Sequence, residues 1–398
     1  MNTPLTAVVD GRGARRARRG HPWIYSDEVV EAAGEPGDVV RVVDRSGAFC
    51  CFAAYSPQSR IPLRRLSWGE SAPDEAFFRA AALGALARRG AAGPCGPGCA
   101  RLLHADAEGF PGLTIDRYGA HLVAQATTVW ADRNAPLVAG ALAEAAGAAS
   151  VLLRNDAASR EREGLERGVR QLSGETPQTV EVEEAGLRRL VDPRLGHKTG
   201  LYLDQQENHR RAAELLLPRG AEGALALDLF SAEGGFALPL AAAGANVRAL
   251  DQSEALLTRG EKAAELNGLS DRVEWIQGNG FDYVAAEERA GAKYGAIVLD
   301  PPPFARRRQE AAGALRGYKE LHRRAFGALA PGGRLLTFSC SFAVSDAEFE
   351  EIVRQGAEDA GVEAFVVGRP GPAPDHPESL TFPESRYLKG LLVERRPA

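Results

Sequence analysis

The sequence predicts an α/β protein. A doubly wound, Rossmann-like domain is expected over residues 191–398, preceded by a small β-rich domain over 1–72 and a small central α+β domain over 73–190. Three observations carry this. After Leu190, apolar runs of strand length alternate with helical patterns, as in a sheet of parallel strands joined by helices. Ala224-Leu225-Ala226-Leu227-Asp228-Leu229-Phe230-Ser231-Ala232-Glu233-Gly234-Gly235 reads as a buried strand opening into a glycine turn. Leu335-Leu336-Thr337-Phe338-Ser339-Cys340-Ser341 reads as a later strand of the same sheet with a cysteine just past its end. Ligands of open α/β sheets lie outside the carboxyl ends of the strands. The two runs therefore put a thiol on the rim where a nucleotide-like cofactor is expected.

Along the chain, Val39–Asp44, Ala48–Ala53 and Ile61–Leu66 are expected as strands, apolar and β-branched with turn residues between them. An alanine-rich helix covers about 75–90, with Asp74 as its cap. Leu113–Asp116 and His121–Gln125 form a hairpin about the turn Asp116-Arg117-Tyr118-Gly119. A helix at Pro136–Ala146 and a strand at Ser150–Arg154 follow. The last domain reads as helix Asn208–Leu217, strand Ala224–Leu229, helix Gly235–Ala243, strand Asn246–Leu250 and helix Ser253–Asn267. Strands Val273–Gln277 and Ala296–Leu299, helix Leu315–Ala330 and strand Arg334–Phe338 complete it.

At 398 residues the chain exceeds a single core, and 44% apolar with 25% charged residues is the balance of a globular protein. No apolar run approaches the roughly 18 to 20 residues of a membrane span, and Met1 is followed by polar residues and arginines rather than a signal core. Five cysteines show no disulfide framework, so a reducing, cytoplasmic location is expected. Cys95-Gly96-Pro97-Gly98-Cys99 with His104 nearby lacks the second pair that a closed zinc site needs, and no metal is expected. A net charge of −5 excludes a basic nucleic-acid coat. The stretch Gly11–Gly20 nevertheless holds Arg12, Arg15, Arg16, Arg18 and Arg19 with no acid, a patch able to neutralise phosphates. The alternative is a solvated arm.

The glycine turn is not the dinucleotide pattern G-x-G-x-x-G; only its paired glycines are present. An acid, Asp228, stands at its start, which favours a cationic ligand over a pyrophosphate. S-adenosylmethionine carries a sulfonium and an ammonium, and its amino-acid end suits Asp228 and the turn Phe230-Ser231-Ala232 with Gly234. Asp251, with Gln252 beside it, ends the next strand about 23 residues on, where an acid accepts from ribose hydroxyls. Asn279-Gly280-Phe281 ends the third strand, Asn279 toward the adenine amine and Phe281 against the ring. Each strand-end acid taken alone reads equally as a helix cap. Lys198, Tyr202, Asp204 and Gln205, in the segment before the first Rossmann strand, are placed to cover the cofactor; the alternative is a capping turn.

Asp300-Pro301-Pro302-Pro303-Phe304 follows a buried strand, and proline there ends the strand and stiffens the backbone. A rigidly held Asp300 can hydrogen-bond the edge of a planar base; the alternative is a structural loop. Cys50 and Cys51 sit within an apolar strand and read as core, whereas Cys340 lies between two serines at a strand end. A thiolate adding to carbon-6 of cytosine turns carbon-5 into a nucleophile.

Here the chain resembles a known family, the bacterial 23S ribosomal RNA cytosine-5 methyltransferases of the RlmI type. His21-Pro22-Trp23-Ile24-Tyr25-Ser26 and Glu35-Pro36-Gly37-Asp38 resemble that family's PUA RNA-binding domain, and Glu108 to Tyr118 its central domain. Its further motifs follow in order: Lys198-Thr199-Gly200, Asp204-Gln205, Phe230-Ser231 with Gly234-Gly235-Phe236, and Asp300-Pro301-Pro302. Arg316-Gly317-Tyr318-Lys319, Ser339-Cys340-Ser341, Asp375-His376-Pro377 and Tyr387-Leu388-Lys389-Gly390 complete the set. The resemblance implies S-adenosylmethionine as donor, ribosomal RNA (23S or its large-subunit precursor) as acceptor, and Cys340 as nucleophile. Two positions depart from the pattern. Position 279, usually acidic, is Asn, whose side-chain oxygen still accepts from an amine. Prolines stand beside Asp300, where many RNA cytosine-5 methyltransferases carry a second cysteine that helps release product. The base for the carbon-5 proton is thus unassigned between water and Asp300.

Two other readings compete. Asp-Pro-Pro before an aromatic resembles the motif of amino-methyltransferases, which act on a base nitrogen without a thiol. A catalytically inactive RNA-binding or ribosome-assembly protein is opposed by the intact Asp228, Asp251, Asp300 and Cys340. No membrane partner is expected, and the oligomeric state, a homodimer included, is not written in the sequence.

Overall fold

The computed structural model describes residues 5–90, 98–196, 199–303 and 311–397. The chain divides into two compact units. One comprises Met1–Glu183, Val191–Leu203 and Pro374–Ser385; the other comprises Glu184–Leu190, Asp204–Ala373 and Arg386–Ala398. Among the described residues no helix is long and apolar enough to cross a membrane.

The first unit contains two sheets. The six-stranded one runs Trp23–Ile24, Leu63–Ser67, Phe49–Tyr55, Val39–Asp44, Thr6–Val9, Val29–Ala32. Its strands are antiparallel except for Thr6–Val9 beside Val39–Asp44. The arginine-rich stretch is a helix, Gly11–Arg18, rather than a solvated arm, and Asp10 caps it by accepting from the Arg12 and Gly13 amides. Only Gly13, Ala14 and Ala17 face inward, so the helix carries no large apolar side chains that would have written its period into the sequence.

The five-stranded sheet runs Gly168–Ser173, Ser150–Asn155, His121–Ala126, Leu113–Tyr118, Cys99–His104. Helices Glu75–Arg88, capped by Asp74 as expected, and Val129–Ala146 share its core through Phe78, Phe110 and Trp130. The second helix starts seven residues before Pro136, at its Thr128 cap, because Trp130, Ala131 and Ala135 must be buried. The hairpin strand likewise continues through Asp116 and Tyr118, and the reversal falls at Gly119 with φ +56°. Asp116 is fully buried and accepts 2.7 and 2.8 Å hydrogen bonds from Arg101, a pairing a solvated turn would not provide. The Tyr118 hydroxyl meets the Thr199 hydroxyl at 3.0 Å and accepts from the Leu201 amide at 3.0 Å, so this strand anchors the segment 199–201.

The second unit is built on seven strands in the order Val273–Gln277, Asn246–Asp251, Leu225–Leu229, Tyr294–Leu299, Leu329–Ser339, Lys389–Arg395, Ala364–Gly368. Counted along the chain this is 3-2-1-4-5-7-6, the first five parallel and Lys389–Arg395 antiparallel to both neighbours. The five parallel strands lie where the sequence put them. Helices Gly280–Arg289 and Asp346–Asp359 and the two final strands were not foreseen, and the expected helix Asn208–Leu217 is broken into Gln206–Arg210 and Ala212–Leu216. The order reverses beside Leu225–Leu229, which places the ligand crevice at the carboxyl ends of that strand and Tyr294–Leu299.

Beneath this rim lies His322, fully buried, with Nδ1 2.6 Å from the Tyr318 carbonyl and Nε2 2.8 Å from the Thr337 hydroxyl. A neutral ring satisfies both, donating from Nδ1 and accepting at Nε2. Burial lowers its pKa to about 4. The unfolded chain binds this proton near pH 6.5 and the folded chain does not, so stability is complete above about 6.5 and declines toward 4. A loss of about 3 kcal/mol across that window is expected from this residue. Urea titrations from pH 7 to 4 measure it, and an unaltered pH slope in a folded His322→Leu variant would remove the assignment.

Candidate active site

The turn after Leu225–Leu229 is held in an unusual conformation, with positive φ at Phe230 (+67°), Ala232 (+48°) and Gly234 (+78°). Non-glycine residues adopt that region only when their surroundings impose it. Here the Ser231 amide donates to the Leu250 carbonyl at 2.9 Å and the Ala232 amide to Asp251 Oδ2 at 3.0 Å. These bonds, with that of the Gly234 amide to the Ser231 carbonyl at 2.8 Å, fix the turn's shape. Gly234 has no room for a side chain: a Cβ would lie 2.5 Å from the Trp275 ring. At Gly235 a Cβ would strike the His209 ring, and at Gly280 it would come within 2.8 Å of Phe230.

Asp228 is 1% exposed. Its Oδ2 accepts from the Ala237 amide at 3.0 Å, while Oδ1 and the Ser231 hydroxyl have no hydrogen-bond partner among the described residues. Burial first, and the facing Asp300 second, push its carboxyl well above the usual range. An orphaned buried carboxyl oxygen beside a second acid is what a cationic ligand would relieve. Asp251 also holds the Ser253 amide at 2.9 Å, and Gln252 is exposed beside it. Asn279 caps the helix Gly280–Arg289, its Oδ1 accepting from the Phe281 and Asp282 amides. That oxygen is therefore engaged in the cap, and the adenine-amine role expected of it has to be shared with helix capping. Phe230 and Phe281 meet edge to face at 6.5 Å, forming the apolar side of the crevice.

The second half of the site lies at the next two strands. Asp300 follows Leu299, which pairs with Thr337, so Asp300 and Cys340 leave adjacent parallel strands at the same end. Gln205 Nε2 donates to Asp300 Oδ2 at 2.9 Å, and Asn208 Nδ2 donates to Gln205 Oε1 at 2.6 Å. Asp204 Oδ2 accepts from the Tyr387 hydroxyl at 2.6 Å. Cys340 is half-buried, and two residues on Phe342 is 72% exposed with its ring tilted against Tyr387 at 5.9 Å. Asp204, Gln205, Asp228, Phe230 to Gly234, Asp251, Asn279 to Phe281, Asp300 and Cys340 thus belong to one unit and one end of one sheet. Tyr202 falls in the other unit, and Lys198 lies outside the described residues.

A buried polar network backs the glycine turn. Glu184 meets His209 Nδ1 at 2.7 Å and accepts from Arg189 at 3.0 Å, and Arg189 also donates to the Glu233 carbonyl at 3.0 Å. No local sequence pattern marks Arg189, His209 or Asn208 as part of a site, Glu184 shows only as an acid ending an alternating strand, and Tyr387 and Lys389 stand only within a short motif.

On the helix Gly11–Arg18, Arg12 pairs with Asp10 and Asp27, Arg16 with Glu28, and Arg18 with Asp44 at 2.6 Å. Arg15 and Arg19 are exposed, with no ion pair among the described residues.

A seven-stranded sheet in this order, with a carboxylate-led glycine turn at its switch point and acids at successive strand ends, defines an S-adenosylmethionine-dependent methyltransferase. The family model of that description matches residues 138–382, and a PUA-like domain model matches residues 8–68. The chain belongs to the ribosomal RNA large subunit methyltransferase I family. It is 37% identical to the protein of that name from Aeromonas hydrophila, over 98% of each chain. It is 35% identical to the one from Vibrio parahaemolyticus, over 98% of this chain and 99% of that one. Among solved structures it resembles a methyltransferase in complex with SAH (TM-score 0.84, 20% identity, covering 98% of this chain and 100% of that one). A methyltransferase from Streptococcus mutans superposes similarly (TM-score 0.83, 19% identity, the same coverage). At those identities the likeness shows the fold.

The residues present fit the cofactor, through the orphaned Asp228 oxygen, the bare Gly234-Gly235 backbone and the Phe230/Phe281 wall. Asp228→Asn is expected to weaken S-adenosylmethionine binding about ten- to hundredfold, the worth of one charge-assisted contact. The ligand-free fold should be no less stable, since a repelled buried acid is removed. Calorimetric titration with a parallel melt tests this, and an unchanged Kd would refute the contact.

Proposed function

We propose that the chain methylates carbon-5 of a cytidine in 23S ribosomal RNA, with Cys340 as nucleophile and Asp300 as the acid at the base edge. The observation that supports it most is the half-buried thiol at the carboxyl end of the strand next to that of Asp300. Addition of the Cys340 thiolate to carbon-6 forms the S–C6 bond and moves the C5=C6 electron pair toward carbon-5. Asp300, oriented by Gln205, hydrogen-bonds near N3 and stabilises the adduct. Bound S-adenosylmethionine supplies an electrophilic methyl group for carbon-5. Loss of the carbon-5 proton, to water or Asp300, restores the double bond and expels Cys340 as thiolate. Phe342 and Tyr387 offer an aromatic surface beside the thiol on which a base turned out of its stack can lie.

In this reading residues 1–72 dock RNA, 73–190 form the central domain and 191–398 carry the chemistry. Nucleoside analysis of methylated 23S RNA is the test. 5-Methylcytidine is expected; a methylated exocyclic or ring nitrogen would overturn the reading.

Of the five arginines, Arg15 and Arg19 are expected to carry most of the phosphate affinity, because the other three already face carboxylates. Replacing both by Ala should weaken RNA binding across sequences. It should also reduce the slope of log K against log salt by about 1.4 to 1.8, two phosphate contacts' worth. An unchanged salt slope would place RNA elsewhere.

A further inference from the structure

Lys389 is 6% exposed, unusual burial for an ammonium. It opens the final strand, whose antiparallel register sets it opposite Ser339. Its Nζ donates to the Ser341 carbonyl at 2.9 Å and to the Tyr387 carbonyl at 3.0 Å. Cys340 therefore lies between the residue Lys389 faces across the sheet and the residue whose carbonyl its amine holds. Two carbonyl acceptors favour the protonated amine, and the Ser341 carbonyl holds it against the segment that carries the thiol.

We propose that the Lys389 ammonium holds Cys340 as a thiolate, making Lys389 a positioning residue for the nucleophile. This rests on the reading of Cys340 given above. The other charged groups around the pair are Arg386 on the approach to the same strand, Asp346 at the start of the helix Asp346–Asp359, and Asp300 at the neighbouring strand end. Arg386 and Asp346 pair with each other at 3.1 Å with both side chains more than half exposed, so they are screened and largely cancel. Burial, the largest influence, draws the Lys389 pKa down, while Asp346 and then Cys340 draw it up. The coupling is mutual: a thiolate that favours the ammonium is favoured by it to the same degree.

The test is the pH dependence of Cys340 alkylation by iodoacetamide in the full-length protein, followed on the Cys340 peptide by mass spectrometry. An ordinary cysteine titrates near 8.5. The wild-type midpoint is expected at least about one pH unit lower. In Lys389→Met it should rise by about one unit or more, slowing alkylation about tenfold at pH 7. Lys389→Arg should restore a low midpoint. A wild-type midpoint at or above 8.5 would overturn the proposal even if Lys389→Met fails to fold, and so would equal midpoints in wild type and a folded Lys389→Met. The reading of Cys340 fails separately. A low, Lys389-dependent midpoint without a covalent RNA adduct would leave the ion pair and remove the cytosine chemistry. An adduct with a Lys389-independent midpoint would do the reverse.

Discussion

On the proposed mechanism Cys340→Ala should abolish methyl transfer, lowering the rate by at least about 10⁴-fold, because the thiolate is the group that activates carbon-5. The fold should survive, since the thiol is half-buried at a strand end and its removal opens no large cavity. The sharper readout uses 23S fragments containing 5-fluorocytidine. Fluorine at carbon-5 cannot depart as a proton does, so the adduct between Cys340 and carbon-6 should persist after methylation. It would migrate as a covalent band on a denaturing gel. Wild type should give the band and Cys340→Ala should not. Near-normal turnover by Cys340→Ala on ordinary RNA would instead move the chemistry to a base nitrogen, for which Asp300 and its prolines suffice and the thiol is structural.

Glu184→Gln should cost about 3 to 5 kcal/mol of stability, the usual result of removing one partner from a buried ion pair. Glu184 is 4% exposed, and Arg189 and His209, its two partners, are buried with it. Glutamine keeps the shape but leaves the Arg189 guanidinium uncompensated. The effect should reach the cofactor as well. The His209 ring packs on Gly235, and Arg189 holds the Glu233 carbonyl, so two of the groups that shape the glycine turn lean on this carboxylate. Binding of S-adenosylmethionine should therefore weaken although Glu184 touches no ligand. Burial by itself would raise the Glu184 pKa, but His209 and Arg189 together bring it below its ordinary value. Its contribution is accordingly present at neutral pH and is lost as pH falls below about 4, a more acid window than that of His322. Urea unfolding with calorimetric titration of the cofactor measures both effects. A loss under about 1 kcal/mol with an unchanged Kd would show that the network does not support the turn.

How legible these features were depends on whether a residue's partners are near it in sequence. Val273–Gln277 was bounded correctly, because a short apolar strand between turns carries its own pattern. The helix Gly11–Arg18 was not, since its buried face is Gly13, Ala14 and Ala17 and its large side chains all face outward. Pro136 suggested a helix start because proline suits a first turn. The burial of Trp130 and Ala131 outweighed that local preference. Glu184 could have been found: Val180, Val182 and Glu184 share one face of a strand with period two, so an acid follows two valines into the interior. Nothing comparable announced His209 or Lys389, which reach Glu184 and the Ser341 carbonyl, 25 and 48 residues away.

The sequence by itself determined the class of fold, the first five strands of the sheet and the acids and thiol at their ends. Those features follow from local hydrophobic period and from the rule that ligands sit past the carboxyl ends of parallel strands. The tertiary structure decided what each side chain there has left to offer. Among the described residues Asp228 retains an unpartnered oxygen because helix Ala237–Ala242 satisfies only one of its two, and Asn279 is engaged as a helix cap. It also decided that the final strand returns antiparallel, setting Lys389 opposite Ser339 with its amine on the Ser341 carbonyl, the residues on either side of Cys340. A charge buried by pairing between strands 50 residues apart is a property of register, and register between distant strands is set by the packed sheet as a whole.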